Sequence, residues 1–415
     1  MAFIDFKDSE LYVENLQAKE LAAEYGTPLY VYSKGALSDR FNAFEDALKS
    51  KKHQVCFAVK ACSSLAVLHL MAKLGAGFDI VSEGELRRVI AAGGDPKKVV
   101  YSGVGKTESE IEYALSAGIN CLNIESPEEI DTVIAVAKRL GVVAPVALRV
   151  NPGVDAKTHP YISTGLKNNK FGVCEEEAFE LYKKMAKEPC LKVSGIDCHI
   201  GSQMTTGAPI LEATDKILSL YNKLLAEGIK VDHIDMGGGL GVTYDKETPP
   251  SVAEYVSPIL KKLENTDVAL YLEPGRAMVA NACLLLSKVV YQKNNGGKHF
   301  VITDTGMNDM IRPALYGSYM TIVNATVHAD VETVVSDIVG PICESDDFLG
   351  KDRALNVRNG DILAVKGAGA YGSSMSSTYN SRRLPCEVMV DGDKSYVIKK
   401  RQSFEDIWKD ETVID

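Results

Sequence analysis

The sequence predicts an α/β chain: an eight-stranded parallel βα barrel of TIM type joined to a second, β-rich domain. Three observations predict it. Eight short apolar or β-branched runs alternate with amphipathic helical segments, nearly every run ends in a polar residue, and after Gly275 the pattern changes to strands joined by turns with few helices. A length of 415 residues also exceeds the ~100–200 residues of one ordinary core, so two domains are expected.

The runs are Val55–Lys60, Gly77–Ser82, Val99–Gly103, Cys121–Glu125, Val146–Asn151, Gly195–Gly201, His233–Gly239 and Ala269–Gly275. The first four begin about 22 residues apart, the length of a strand, a helix and two short loops. Two of the intervening helices carry capping-box signals, Thr107 with Glu110 and Ser126 with Glu129. The polar tips are Lys60, Asp79, Ser102, Glu125, Asn151, His199, the Gly237–Gly239 triplet and Glu273. A polar residue often marks nothing more than a strand end. Eight in register fit a barrel better, because its strand ends converge on one mouth where catalytic groups sit. Beyond Gly275, runs such as Asn281–Tyr291, His299–Thr303, Ile338–Ile342, Asp361–Val365, Cys386–Val390 and Lys394–Lys400 read as strands, with turns at Asn295-Gly296-Gly297, Asn359-Gly360 and Asp391-Gly392. The expected division is 27–278 for the barrel and 1–26 plus 279–415 for the β-rich domain, with the strand-like Pro28–Tyr32 preceding the barrel proper.

Composition narrows the function classes. Hydrophobic residues make up 46% and charged residues 25%, which excludes a disordered or collagen-like chain. The net charge of −10 and the lack of a dense Lys/Arg block argue against nucleic acid and for a small-molecule partner. Nine cysteines without a Cys-x-x-Cys pair, and no histidine at zinc-ligand spacing, lead us to expect reduced thiols in a cytoplasmic protein with no metal. The first ten residues lack the basic and apolar regions of a signal peptide, and no run of 18 apolar residues predicts a membrane span.

The strand tips point to a chemistry. A lysine at a strand end, as Lys60 is, is more often a solvated cap, yet desolvated lysines are the groups that form Schiff bases with carbonyl cofactors. Gly237-Gly238-Gly239-Leu240-Gly241 after the seventh run could offer bare N–H groups to a phosphate, where barrels tend to bind one, although glycines also make plain tight turns. Glu273 at the tip of the eighth run could keep a pyridine nitrogen protonated, and His199 could stack on such a ring.

With these residues assembled, the chain resembles the diaminopimelate decarboxylases, within the pyridoxal-phosphate family that joins an alanine-racemase-like barrel to a β-domain. The blocks that carry the likeness are Phe57–Ala61, Gly77–Glu85, His199–Gln203, Gly237–Gly241, Glu273–Arg276, Ile311–Tyr316, Gly340–Ser345 and Gly369–Gly372, spread over nearly the whole length. Met320 is a minor departure, at a place where histidine is more usual. The resemblance implies that Lys60 holds pyridoxal 5'-phosphate covalently, Glu273 pairs with the ring nitrogen and His199 stacks on the ring. Ser202, Gly237, Gly238, Gly239, Gly275, Arg276 and Tyr371 would surround the phosphate, with Asp79 in support. It also implies an obligate homodimer in which Cys343 and Glu344 reach the other subunit's mouth, with Cys343 the general acid.

The substrate is argued from charge. Arg312 and Tyr316 on one short segment, with Arg276 and Tyr371, offer donors suited to a carboxylate, and Glu344 offers an acceptor for an ammonium. A distal group bearing both charges fits meso-2,6-diaminopimelate, whose decarboxylation gives L-lysine and carbon dioxide, the last step of lysine biosynthesis. The alternatives are a related decarboxylase of ornithine, arginine or carboxynorspermidine, an amino-acid racemase, and a non-catalytic regulator.

Overall fold

The computed structural model describes residues 3–156, 164–165 and 169–415. Eight strands, His53–Ala58, Gly77–Ile80, Val99–Tyr101, Cys121–Ile124, Ala144–Asn151, Leu191–Asp197, His233–Asp235 and Ala269–Leu272, pair in parallel in chain order. The last pairs back on the first through Leu270–Leu272 against His53–Val55, which closes the barrel. We refer to them as the first to eighth barrel strands. Short apolar strands buried on both faces, each followed by an amphipathic helix, can satisfy their backbone and hide their side chains only in such a parallel arrangement.

Local signals behaved unequally. Thr107 and Glu110 form a reciprocal capping box at the start of helix Glu108–Ala117. Ser126 caps the Glu129 N–H of helix Pro127–Leu140, but the Glu129 carboxylate does not return the bond. It accepts from the Glu125 N–H at 2.9 Å and pairs with the buried Lys106 ammonium at 2.8 Å. A cation removed from water needs that partner more than the helix end does.

Contact density divides the chain into two units, Met1–Asp39, Thr243–Glu247 and Val279–Asp415 in one, Arg40–Val242 and Thr248–Met278 in the other. Strand Leu29–Ser33, on the barrel side of the expected boundary at 27, pairs instead with Cys283–Leu286 and Cys386–Val390. All five of its residues are buried, as a strand flanked on both edges requires. In that unit the long strand Cys283–Asn295 also pairs with Ile362–Lys366 and Lys298–Thr303. Asn295 opposite Lys298 leaves Gly296 and Gly297 as a two-residue turn, both at positive φ, which only glycine adopts without strain. Strand Phe348–Leu355, paired with Val334–Val339, was not expected, because Gly350 and the charged Lys351-Asp352-Arg353 mask its alternation.

The barrel interior has no slack near the seventh strand. A Cβ on Gly195 would lie 2.2 Å from His233 Nε2, and the His233 ring is stacked on Tyr271 with centroids 4.2 Å apart. Gly195→Ala should therefore destabilise the barrel by about 1–3 kcal/mol through overpacking. The measurement is the urea midpoint at unchanged slope; an unshifted midpoint would show that the His233–Tyr271 stack yields freely.

Candidate active site

The C-terminal ends of the barrel strands bring the expected barrel residues together. Lys60 lies in a single 3-10 turn, Val59–Ala61, just past the first strand rather than within it. The turn carries its side chain to the mouth, where Nζ meets Asp79 Oδ2 at 2.6 Å. Asp79 is fully buried while Lys60 keeps about a third of its side chain exposed. An acid locked in the wall thus aims an ammonium that can still be reached.

The loops after the sixth and seventh strands are laced to each other. Met204 N–H donates to Gly239 O at 2.8 Å and Gly241 N–H to Met204 O at 2.9 Å. The Gln203 side chain donates to Val242 O at 2.6 Å and accepts from the Val242 N–H at 3.1 Å. Within this lacing, Gly238 N–H donates to His199 Nδ1 at 3.3 Å, which leaves the ring proton of a neutral His199 on Nε2. Packing around the ring, then the nearby Arg149 and Lys60 charges, push the imidazole well below its ordinary range. His199 is therefore a neutral plate at neutral pH, suited to stacking.

The glycine run is dictated by close approach. A Cβ on Gly238 would lie 2.3 Å from Glu273 O, and one on Gly237, at φ +66°, 2.6 Å from His199 Nδ1. Glu273 N–H in turn donates to Gly237 O at 2.7 Å, so the seventh and eighth strand ends are locked together. Arg276 is buried, and its Nε donates to Ser202 Oγ at 3.1 Å, joining two residues expected around one anion.

Arg312, Tyr316, Cys343, Glu344 and Tyr371 belong to the β-rich unit. Arg312 and Tyr316 are the two ends of helix Arg312–Tyr316. The buried Arg312 guanidinium donates to Tyr244 Oη at 2.8 Å, lies over that ring, and contacts the Met320 sulfur at 3.8 Å. Met320, the departure noted in the sequence, thus packs its sulfur against the Arg312 guanidinium. Cys343 is exposed, its N–H held by Asn380 Oδ1 at 3.0 Å, and Glu344 accepts from Tyr379 Oη. Tyr371 sits at φ +56°, a conformation uncommon for a non-glycine residue.

Four groups escaped the sequence reading or received no role in it. Arg149 donates to Glu125 at 3.2 Å, and Glu125 also accepts from Gly103 and Gly172 N–H groups. Asp197 and Asp235, with Glu273, form a buried trio whose carboxyl oxygens lie within 4.8 Å of one another. Strand alternation could have found both aspartates, since each stands two residues before a recognised group, His199 or Gly237.

A pyridoxal phosphate fits this donor set. An amine at the mouth, a neutral imidazole beside a glycine cradle, a buried Ser202–Arg276 pair and a buried Glu273 whose Oε1 has no hydrogen-bond partner are the contacts an aldehyde-bearing, phosphorylated pyridine needs. Comparison with known proteins agrees. The pyridoxal binding domain of the pyridoxal-dependent decarboxylases matches residues 34–280. A diaminopimelate decarboxylase of Haemophilus influenzae is 52% identical over 415 residues, the whole of both chains. The chain belongs to the diaminopimelate decarboxylase family. Its Vibrio cholerae member is 51% identical over 409 residues, 98% of each chain. The crystal structure of the Helicobacter pylori enzyme complexed with L-lysine superposes with a TM-score of 0.92 at 43% identity, covering 95% of this chain and 98% of that one. Among the described residues no helix is long and apolar enough to cross a membrane.

The electrostatics of the family's barrel make a prediction for the protein without cofactor. Burial raises the Asp235 carboxyl from 3.8 to about 7, against the Gly237 N–H bond that lowers it. A carboxyl raised in the folded state contributes stability that is fully present below 3.8 and lost as pH rises through about 7. Asp235→Asn removes that titration, so its melting temperature should fall less than that of the unaltered protein across this window. Parallel curves would mean that Asp235 is ionised throughout.

Proposed function

We propose that the protein decarboxylates meso-2,6-diaminopimelate to L-lysine, using pyridoxal 5'-phosphate, as a cytoplasmic homodimer. The observation that carries the reading is the Lys60–Asp79 pair at 2.6 Å beside the glycine cradle and the buried Glu273. Full-length relatives bearing the diaminopimelate decarboxylase name, and one crystallised with L-lysine, support the substrate and product. Nine cysteines, most of them buried and none in a disulfide, are consistent with a reducing compartment.

When bound, the cofactor supplies the electron sink that accepts the pair left behind as carbon dioxide departs. Lys60 would hold it. Glu273 would keep the ring nitrogen protonated, His199 would stack on the ring, and Ser202, Arg276, Tyr371 and the Gly237–Gly239 turn would take the phosphate, with Gly275 admitting it. Arg312 and Tyr316 receive the distal carboxylate, together with Arg276 and Tyr371 on the substrate side, and Glu344 receives the distal ammonium. Cys343, from the second copy of the chain, gives its proton to the carbon that lost the carboxyl group.

The charge argument is tested by substrate comparison. Ornithine or lysine brings no distal carboxylate, and leaving the Arg312 donors without one costs ~1–3 kcal/mol or more. At about 1.4 kcal/mol per decade, that is one to several decades of kcat/KM. Arg312→Met should lower turnover of diaminopimelate by that factor and barely change the small activity on ornithine. Equal loss on both would assign Arg312 to architecture, and unaltered protein that turned over ornithine as fast as diaminopimelate would refute the substrate.

Sharing of sites has its own test. Lys60→Ala and Cys343→Ala proteins, each inactive, should regain activity when mixed, because one heterodimer mouth then carries both native groups. Absence of activity after demonstrated subunit exchange would contradict the shared site.

A further inference from the structure

Asp197 and Asp235 end the sixth and seventh barrel strands, Glu273 directly follows the eighth, and all three are buried. Their carboxyl oxygens approach within 4.8 Å of one another. Asp235 Oδ1 accepts from the Gly237 N–H at 2.8 Å. Asp235 Oδ2, Glu273 Oε1 and Asp197 Oδ1 have no donor among the described residues. Asp235 and Glu273 meet side chain to side chain.

The charges around the trio cannot neutralise three carboxylates. On the first and second strand ends, Lys60 is paired with Asp79 at 2.6 Å. On the fourth and fifth, Arg149 is shared with Glu125 at 3.2 Å. Cys56 on the first strand stays a thiol, raised well above its ordinary range by burial, and His199 stays neutral. Like charges this close in a dry interior do not all ionise; one site gives up its charge by keeping a proton. A hard cation is the competing solution, but it takes six or more oxygens, and Asp235 Oδ1 is already committed to the Gly237 N–H. A proton between two carboxyl oxygens needs only those two, and it converts two orphan acceptors into a donor and its acceptor.

We propose that Asp235 and Glu273 share one proton, held on Asp235 and donated to Glu273, so that Glu273 remains the ionised member facing the cofactor's ring nitrogen. Asp235 is a positioning residue that acts through Glu273. The proposal rests on the ring-nitrogen reading of Glu273 given above. Burial and the neighbouring carboxylates raise all three carboxyls, Glu273 and Asp197 well above the ordinary range, so the trio keeps a proton; the positive ring nitrogen against Glu273 is what leaves that proton on Asp235. Asparagine at 235 imitates the protonated acid, with Oδ1 accepting from Gly237 and Nδ2 donating to Glu273.

The test is infrared spectroscopy of the cofactor-loaded protein just below neutral pH, read as difference spectra with Asp235→Asn and with Glu273→Gln. A neutral-carboxyl stretch that shifts in heavy water should be present in the unaltered protein and lost from both variants; either alone suffices if the other does not fold. A band that persists in both, or no band to lose, overturns proton sharing. The second readout is affinity for pyridoxal phosphate against pH. Once Asp235 titrates, the unaltered protein should weaken by up to tenfold per pH unit relative to Asp235→Asn. Loss of the band with parallel affinity profiles would leave the shared proton standing and refute the ring-nitrogen role of Glu273.

Discussion

Charge held out of water at the barrel mouth is the constraint on which the rest of this structure turns. Eight parallel strands aim their last residues at one place, and that place is lined by ionisable groups that are mostly buried. Burying an unpaired charge costs more than almost any other local choice, so Lys60, Lys106 and Arg149 each have a committed acid. Lys60 has Asp79, Lys106 has Glu129 and Arg149 has Glu125. These pairs explain local departures, such as the Glu129 carboxylate forgoing the helix cap. They also leave a surplus of acid on the last three strands, which is where an electron-accepting, protonated ring would be held.

Backbone geometry supports the same end. The turn after the seventh strand approaches Glu273 O and His199 so closely that side chains are excluded, its Gly237 and Gly239 carbonyls tie neighbouring strand ends together, and its Gly237 and Gly238 amides bond Asp235 and His199. Precision at the mouth therefore comes from rigid strand termini rather than from a long loop, as pre-organisation of a cofactor requires. In the β-rich unit the same economy holds Arg312 against Tyr244 and pins the Cys343 backbone to Asn380.

Much of this was legible in the sequence, for identifiable reasons. Barrel strands announce themselves as short apolar runs ending in one polar residue, and the eight runs correspond to the eight strands with ends that differ by a few residues, most at the sixth, where the strand is Leu191–Asp197 rather than 195–201. The boundary was harder. Leu29–Ser33 has the composition of a barrel strand and lies just before one, and only its pairing with Cys283–Leu286 reveals its place. Phe348–Leu355 was hidden by charges that an antiparallel strand tolerates on its open face. Asp197 and Asp235 stand two residues before His199 and Gly237, inside runs whose polar ends carry the signal. Their closeness to Glu273 is a fact of barrel closure, which no local pattern records.

The whole mouth is arranged around Lys60, presented by Asp79, as the group that binds the cofactor. Reduction of the pyridoxal-phosphate-loaded protein with borohydride, followed by peptide mapping, measures this directly. A single pyridoxyl label on Lys60 is expected. A label on any other lysine, or none after full loading, would rule out that role.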